Sequence, residues 1–265
     1  MCLYPQFINV VKDGHRQFIR VACGKCLECE LNKSREWAFR IVLEALAYPC
    51  NCFLTLTYND DNLPLSGSVS RKEVTLFIKR LRSYLSPARI RFFSCGEYGK
   101  KNLRPHYHIV IFNWFPDDCF FLKKEGKTIL YRSPTVEKLW TKGFSSVGEL
   151  SFHSALYCAK YLNKYNYDHL LCRDPRYKLL ERPFIQMSNR PGIGYNYIHL
   201  CDLHTDKIYY RGQSIKIPRY FLKVLEREGY FLGYLKENRI VRSHMCACSQ
   251  DLEDRRRKFF NKYLT

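Results

Sequence analysis

The chain has 265 residues, room for one large domain or two small ones, and its 44 Lys and Arg against 25 Asp and Glu give a net charge of +19. Such an excess favours nucleic acid or another anionic surface as a partner and says nothing about fold. No apolar run approaches the ~18 residues of a membrane span, Met1-Cys2-Leu3-Tyr4-Pro5 is no secretory leader, and thirteen cysteines without a leader imply a reducing compartment with thiols free or metal-bound.

In chain order, a hairpin-like stretch from Phe7 to Val21 leads into Cys23-Gly-Lys-Cys26-Leu-Glu-Cys29. Thiols two residues apart are common in structural zinc sites, which need four ligands. Cys2 is the expected fourth, folding back across the hairpin, with Cys50 or Cys52 as alternatives; three close cysteines are equally compatible with buried thiols or a redox pair. A helix is expected from about Leu31 to Tyr48, stopped by Pro49. Alternation then predicts a strand over Cys52–Tyr58. Ser70 with Glu73 reads as a capping box for a helix over Arg71–Leu85, whose Val74, Phe77, Ile78, Leu81 and Leu85 share one side.

Arg89–Cys95 reads as an apolar and aromatic strand closed by Gly96, with Glu97 at its end. A short connection returns the chain to a second strand, Arg104–Phe112, so the two are expected to be antiparallel neighbours. Strand side chains alternate, which puts His106 and His108 on one face and Tyr107, Ile109 and Ile111 on the other, buried one. Residues 114–132 read as loop, Pro134–Trp140 as a short helix, and Gly143–Gly148 as a turn and short strand. Ser151 caps an expected helix through Tyr165, on which His153, Tyr157, Tyr161 and Tyr165 recur every four residues. A hairpin around Arg211-Gly212, a helix from Pro218 to about Glu228, and a basic run Arg255-Arg256-Arg257-Lys258 on a C-terminal helix complete the chain. That run is either a solvated face or a contact for DNA phosphates. Strands and helices in this order predict an α+β fold, an antiparallel central sheet with helices packed on it.

Two imidazoles at i and i+2 on a strand begin a metal site, and with one carboxylate they leave coordination positions open for water and substrate. A neighbouring strand lies roughly 4.8 Å away, within reach of Glu97. Chance packing of the histidines and a solvated Glu97 are the plainer alternatives. Lys160 and Lys164 each stand three residues after a tyrosine, where a cation favours the phenolate, a nucleophile; the competing reading of the tyrosine stripe is core packing. A metal-polarised phosphate attacked by tyrosine would give a phosphotyrosine and a free DNA hydroxyl. No phosphate-binding Gly-x-x-x-x-Gly-Lys-Ser/Thr loop is present, so no ATPase is expected.

The sequence resembles the HUH endonucleases, and among them the replication initiators of small single-stranded DNA phages of the gokushovirus (microvirus) group. The likeness spans most of the chain. It rests on the cysteine motif, Phe53-Leu-Thr-Leu-Thr-Tyr58, Cys95-Gly-Glu-Tyr-Gly99, Arg104-Pro-His-Tyr-His108, Gly143-Phe-Ser-Ser-Val-Gly148, Tyr157-x-x-Lys160-Tyr161-x-x-Lys164, Met187–Gly194 and Pro218-Arg219-Tyr220. Ala22 departs from the proline expected before the first cysteine, and residues 165–183 match nothing assignable. The resemblance implies Glu97, His106 and His108 as ligands for Mn²⁺ or Mg²⁺, and Tyr157 and Tyr161 as a nucleophile pair served by Lys160 and Lys164. Cys2, Cys23, Cys26 and Cys29 stand as a possible structural Zn²⁺ site. It further implies a rolling-circle initiator that nicks and religates single-stranded DNA at an origin, working with host helicase and polymerase in the bacterial cytoplasm, away from membranes. One HUH domain is expected, with its core at about residues 50–170, a Cys-rich segment over residues 1–49 and an extension over residues 171–265. The alternatives are a plasmid-type initiator, relaxase or transposase of the same chemistry, or a non-catalytic zinc and nucleic-acid-binding protein.

Overall fold

The structure, a computed structural model, describes residues 2–12, 14–99, 101–126, 128–160, 175–245, 252–254 and 256–258. It divides into two compact units, Ser34–Tyr197 and the pair of segments Met1–Lys33 and Ile198–Thr265. The expected core at about residues 50–170 lies inside the first of these.

In the Ser34–Tyr197 unit, β3 (Asn51–Thr57), β4 (Arg91–Tyr98), β5 (Pro105–Phe112), β6 (Phe120–Glu125), β7 (Thr128–Arg132), β8 (Ser145–Glu149) and β9 (Phe184–Met187) form one antiparallel sheet in the order β6-β7-β8-β3-β5-β4-β9. The fold is α+β. Strand β3 shows the expected alternation: Cys52, Leu54 and Leu56 are buried, while Asn51, Phe53, Thr55 and Thr57 are half-buried. Helices α2 (Arg71–Leu85) and α3 (Pro134–Leu139) bring Val74, Phe77, Ile78, Leu81 and Val136 onto one face, against Leu54, Leu56, Tyr107, Ile109 and Ile111. The opposite face carries Phe93, Cys95, Val110 and Phe112. Ala38 and Ile41 of α1 (Leu27–Ala45) and Ala155 and Cys158 of α4 (Phe152–Lys160) pack on it. Covered on both faces, β4 and β5 are buried almost throughout.

Several boundaries differ from expectation. Helix α1 starts at Leu27 rather than Leu31, because the Cys26 carbonyl already accepts the Glu30 N–H at 3.1 Å. Residues 114–132 are not all loop: β6 and β7 form a hairpin through Gly126, whose φ is +59°. Its exposed Phe-Phe-Leu-Lys-Lys strand lacks the period-two signal of a half-buried strand, so pattern alone does not reveal it. Strand β4 runs on through Gly96 to Tyr98. A Cβ at Gly96 would lie 2.7 Å from the Phe184 ring, so the glycine makes room for a neighbour and does not end the strand.

The capping box is also absent. Ser70 makes no side-chain cap bond, and Glu73 pairs with Lys142 at 2.8 Å. The start of α2 is held from the sheet instead: the Ser70 N–H donates to the Tyr107 hydroxyl at 2.9 Å, and Tyr107 in turn lies 2.8 Å from the buried Tyr58 hydroxyl. On α4 the expected cap is present, Ser151 Oγ accepting the Ser154 N–H at 3.1 Å.

The second unit holds the hairpin β1 (Gln6–Lys12) and β2 (His15–Val21), and a three-stranded sheet of β10 (Cys201–Asp202), β11 (Lys207–Tyr210) and β12 (Gln213–Lys216). Its helices α5 (Arg219–Arg227) and α6 (Gly233–Met245) follow. Helix α6 is not among the elements expected from the sequence; its Arg239 pairs with the buried Asp206 at the β10–β11 turn. Residues 252–254 and 256–258 are helical, and Arg255 of the basic run lies outside the described residues.

Tyr107→Phe tests the tyrosine link between sheet and α2. It removes the acceptor of the Ser70 N–H and the partner of the Tyr58 hydroxyl, both in buried surroundings, and is expected to cost about 1–3 kcal/mol. Denaturant unfolding of the two proteins measures the difference.

Candidate active site

Register assembles the site. Glu97 on β4 pairs directly with His106 on β5, and His106 pairs across its other edge with Thr57 on β3. One rung along, Cys95, His108 and Thr55 pair in the same way. Residues directly opposite share a face, so Glu97, both imidazoles and both threonines project together. Glu97 is only 1 % exposed. Its Oε1 lies 2.8 Å from His106 Nε2 and 2.8 Å from His108 Nε2.

Two further contacts orient the rings. His106 Nδ1 donates to the Arg104 carbonyl at 3.1 Å, since a carbonyl can only accept. In the neutral ring Nε2 is then a lone pair aimed at a carboxylate oxygen, an arrangement that calls for a cation between them. His108 Nδ1 lies 3.0 Å from Thr55 Oγ1, and its ring stacks on Phe53 with centroids 5.4 Å apart. Outer contacts of this kind fix which nitrogen of a histidine faces a metal. Glu97 Oε2 is buried and has no hydrogen-bond partner among the described residues. The ligand atoms of Glu97, His106 and His108 lie within 4.8 Å of one another. Two imidazoles, a carboxylate and an orphaned carboxylate oxygen fit a divalent first-row ion.

Charge follows the same geometry. Burial alone would raise the Glu97 carboxyl, but hydrogen bonds and charge from the two imidazoles hold it below the usual range. Burial pushes both histidines down; for His106 the contact with Glu97 outweighs it and the ring is raised, whereas the more deeply buried His108 stays lowered.

Helix α4 brings Tyr157 to this group. Its buried side is small, Ala155, Cys158 and Ala159, which lets the helix lie close to the sheet. The Tyr157 hydroxyl donates to Glu97 Oε1 at 2.9 Å, and the ring meets His108 edge-on with centroids 4.9 Å apart. Tyr157 is 37 % exposed, and His153 and Lys160 are exposed. The described part of the tyrosine stripe is therefore not the buried side of α4. The expected lowering of the phenol by a lysine is overturned for Tyr157. Burial and then the charge of Glu97 dominate its surroundings and raise it. Tyr161 and Lys164 lie outside the described residues.

The cysteine cluster forms a separate group in the other unit. Sγ of Cys2 lies 3.9 Å from that of Cys26, Sγ of Cys23 lies 4.0 Å from that of Cys29, and all four sulfurs fall within 4.8 Å. Gly24, with φ +71°, shapes the turn in which the Lys25 and Cys26 N–H groups donate to Cys23 Sγ at 3.5 and 3.3 Å. Burial raises Cys29; Cys26 resists its burial through backbone N–H bonds from Cys29 and Leu3, which bring it down to about 7. The alternatives do not join the cluster. Cys50 is exposed, and Cys52 is fully buried in the core of the seven-stranded sheet.

The sequence marks Phe53–Tyr58 as a motif without revealing the orienting roles of Thr55 and Phe53 toward His108. Only the β3–β5 register shows them. We expect Mn²⁺ to stabilise the protein, by about 2.7 kcal/mol at a hundred times Kd, and His108→Ala or Glu97→Gln to abolish that gain in thermal unfolding. Acid should weaken the binding, since protons compete for the imidazole nitrogens.

The family model for replication-associated protein ORF2 matches residues 51–166, the span that contains Glu97, His106, His108 and Tyr157. Replication-associated protein ORF2 of Spiroplasma virus 4 is 34% identical over 242 residues, covering 83% of this chain and 72% of that protein. Replication-associated protein VP4 of Bdellovibrio phage phiMH2K is 34% identical over 212 residues, 75% of this chain and 65% of that protein. Replication-associated protein ORF4 of Chlamydia phage 1 is 29% identical over 228 residues, 81% of this chain and 57% of that protein. No solved structure matches the chain. Matched on the strands that carry the histidines and the glutamate, and at this identity across most of its length, the chain belongs to the replication-associated protein ORF2 family.

Proposed function

We propose that this chain is an HUH-type initiator of rolling-circle replication for a single-stranded DNA phage. In this reading it nicks single-stranded DNA at the origin through a 5′-phosphotyrosine and reseals the strand afterwards. The observation that carries the reading is the Tyr157 hydroxyl 2.9 Å from the Glu97 oxygen that both imidazoles touch. Nucleophile and ligand set thus share one oxygen atom. That the three relatives are phage replication-associated proteins supports a phage role over a plasmid one.

Glu97, His106 and His108 would hold the ion, and their two nitrogens favour Mn²⁺ over the oxygen-seeking Mg²⁺. A bound divalent ion supplies Lewis-acid polarisation of the scissile phosphate and offsets the Glu97 charge that keeps Tyr157 protonated. The Tyr157 oxygen then attacks phosphorus. An oxygen–phosphorus bond to tyrosine forms as the bond to the DNA 3′ oxygen breaks; the phenol releases its proton and the 3′ oxygen takes one up. One ester replaces another, so no nucleotide triphosphate is consumed. Lys160, exposed one turn along the helix, serves phosphate charge. Tyr161 and Lys164 are assigned the second nucleophile and its cation on their sequence spacing alone, so that a second cut can be made while the first link persists. Host helicase and polymerase, and a site of action in the bacterial cytoplasm, belong to the same proposal. No described helix is long and apolar enough to cross a membrane.

We further propose that Cys2, Cys23, Cys26 and Cys29 hold a structural Zn²⁺. Sulfurs on a zinc tetrahedron with bonds of about 2.3 Å stand about 3.8 Å apart, close to the 3.9 and 4.0 Å between these sulfur pairs. Four protein ligands close the site, which leaves it no coordination position for catalysis. The ion would join the entry of β1 to the exit of β2 and the start of α1.

Two experiments test these assignments. With labelled origin strand and Mn²⁺, Tyr157→Phe and Tyr161→Phe should each still form a denaturant-resistant adduct and the double variant none. An undiminished adduct in the double variant sinks the mechanism. Native mass spectrometry should find one zinc per chain, lost on Cys29→Ala; a wild-type chain purified without chelator and free of zinc would refute the structural site.

A further inference from the structure

We infer that Phe144 is a stacking platform for a base of the bound strand, close to the scissile phosphate; this rests on the nicking reading above. Phe144 continues the row of residues that makes the site. Its N–H donates to the Thr57 carbonyl at 3.0 Å and its carbonyl accepts the Thr57 N–H at 2.9 Å. Thr57 pairs with His106, and His106 with Glu97. Phe144 therefore stands two strand spacings, roughly 10 Å, from His106. Alternation puts it on the same face. Ser145 and Val147 are buried toward the α2 side, which leaves Phe144 and Ser146 on the face of the imidazoles.

Three features separate Phe144 from an ordinary exposed apolar side chain. It is 69 % exposed, although the hydrophobic residues around it in the fold have found a core. Its backbone is fixed. The preceding Gly143 has φ +153°, and a Cβ there would lie 2.3 Å from the Asn59 nitrogen and 2.4 Å from the Thr57 oxygen, so only glycine permits this close approach. That same Thr57 carbonyl also accepts the Trp140 indole N–H at 2.9 Å. Finally, only the small Thr57 stands between Phe144 and His106 in the row, with its hydroxyl turned to the Phe144 carbonyl at 3.3 Å.

A rigid, exposed aromatic ring beside a phosphate-directed site on a chain of +19 charge fits the base of a single strand. Every base has a π-face, so such a platform holds the strand without reading its sequence. Phosphates are met by cations and the metal ligands; Phe144 supplies the contact to bases that those groups lack. Its role is positioning, since it touches no reacting atom.

The test uses the full chain, Mn²⁺ and two labelled probes of about 16 nucleotides: oligo(dT), and an abasic deoxyribose-phosphate strand with the same charge. Phe144→Ala should weaken oligo(dT) binding roughly fivefold to a hundredfold and leave abasic binding unchanged. Phe144→Trp should retain affinity, and its emission should be quenched by oligo(dT) and not by the abasic strand. Equal loss on both probes, or none on either, overturns the stacking assignment while leaving the nicking reading intact. A wild-type chain that neither binds oligo(dT) nor forms an adduct with the origin strand overturns the nicking reading, and this inference with it.

Discussion

Everything in the site turns on one buried oxygen. Glu97 Oε1 is met by two imidazole nitrogens and a phenol at 2.8–2.9 Å, while Oε2 has no partner among the described residues. An ionised carboxylate withdrawn from water is costly unless positive charge or hydrogen bonds replace its hydration. Here the replacement comes from groups that are themselves metal ligands or a nucleophile. The His106 tautomer set by the Arg104 carbonyl makes the arrangement more demanding, because a neutral ring presents a lone pair to the same oxygen. A site in which several donors converge on one anion, with a further lone pair left over, is built for a cation.

The fold serves that convergence by burying β4 and β5 on both faces. The face toward α2 and α3 is filled by large apolar and aromatic side chains, and the Tyr58–Tyr107 hydroxyl pair ties it to the start of α2. The imidazole face is covered by α1 and α4 over Phe93, Cys95, Val110 and Phe112, then opens where Glu97, His106, Thr57 and Phe144 form its last row. Helix α4 approaches closely because Ala155, Cys158 and Ala159 line its inner side. A larger residue at any of the three would move Tyr157 away from Glu97. The nucleophile's position is thus a packing result, set by small residues it does not touch.

The cysteine cluster solves a different problem in its own unit. A two-stranded ribbon such as β1–β2 is marginal alone in water, and Phe7, Val11 and Phe18 on it are exposed. Bringing Cys2 against Cys23, Cys26 and Cys29 closes the ribbon at its base with a few residues where a hydrophobic core would need many.

Local pattern determined a large part of this protein. Period-two alternation placed His106 and His108 on one face and Tyr107, Ile109 and Ile111 on the buried one. The spacing of Val74, Phe77, Ile78 and Leu81 defined α2, and the four cysteines were legible as one group. These features depend on residues close in sequence or on a repeat that a helix or strand imposes. Pattern failed where a partner from elsewhere overrides it. Ser70 and Glu73 satisfy the capping motif yet take other partners, Tyr107 and Lys142. Gly96 looks like a strand end and instead accommodates Phe184. Helical spacing pairs the Tyr157 phenol with a lysine on its own helix, whereas its hydroxyl meets the charge of Glu97, sixty residues away. Only tertiary structure decided which residues share a rung: Thr55 behind His108, Glu97 beside His106, Phe144 at the end of the same row. Register across strands joins positions far apart in the chain, and no local propensity encodes it.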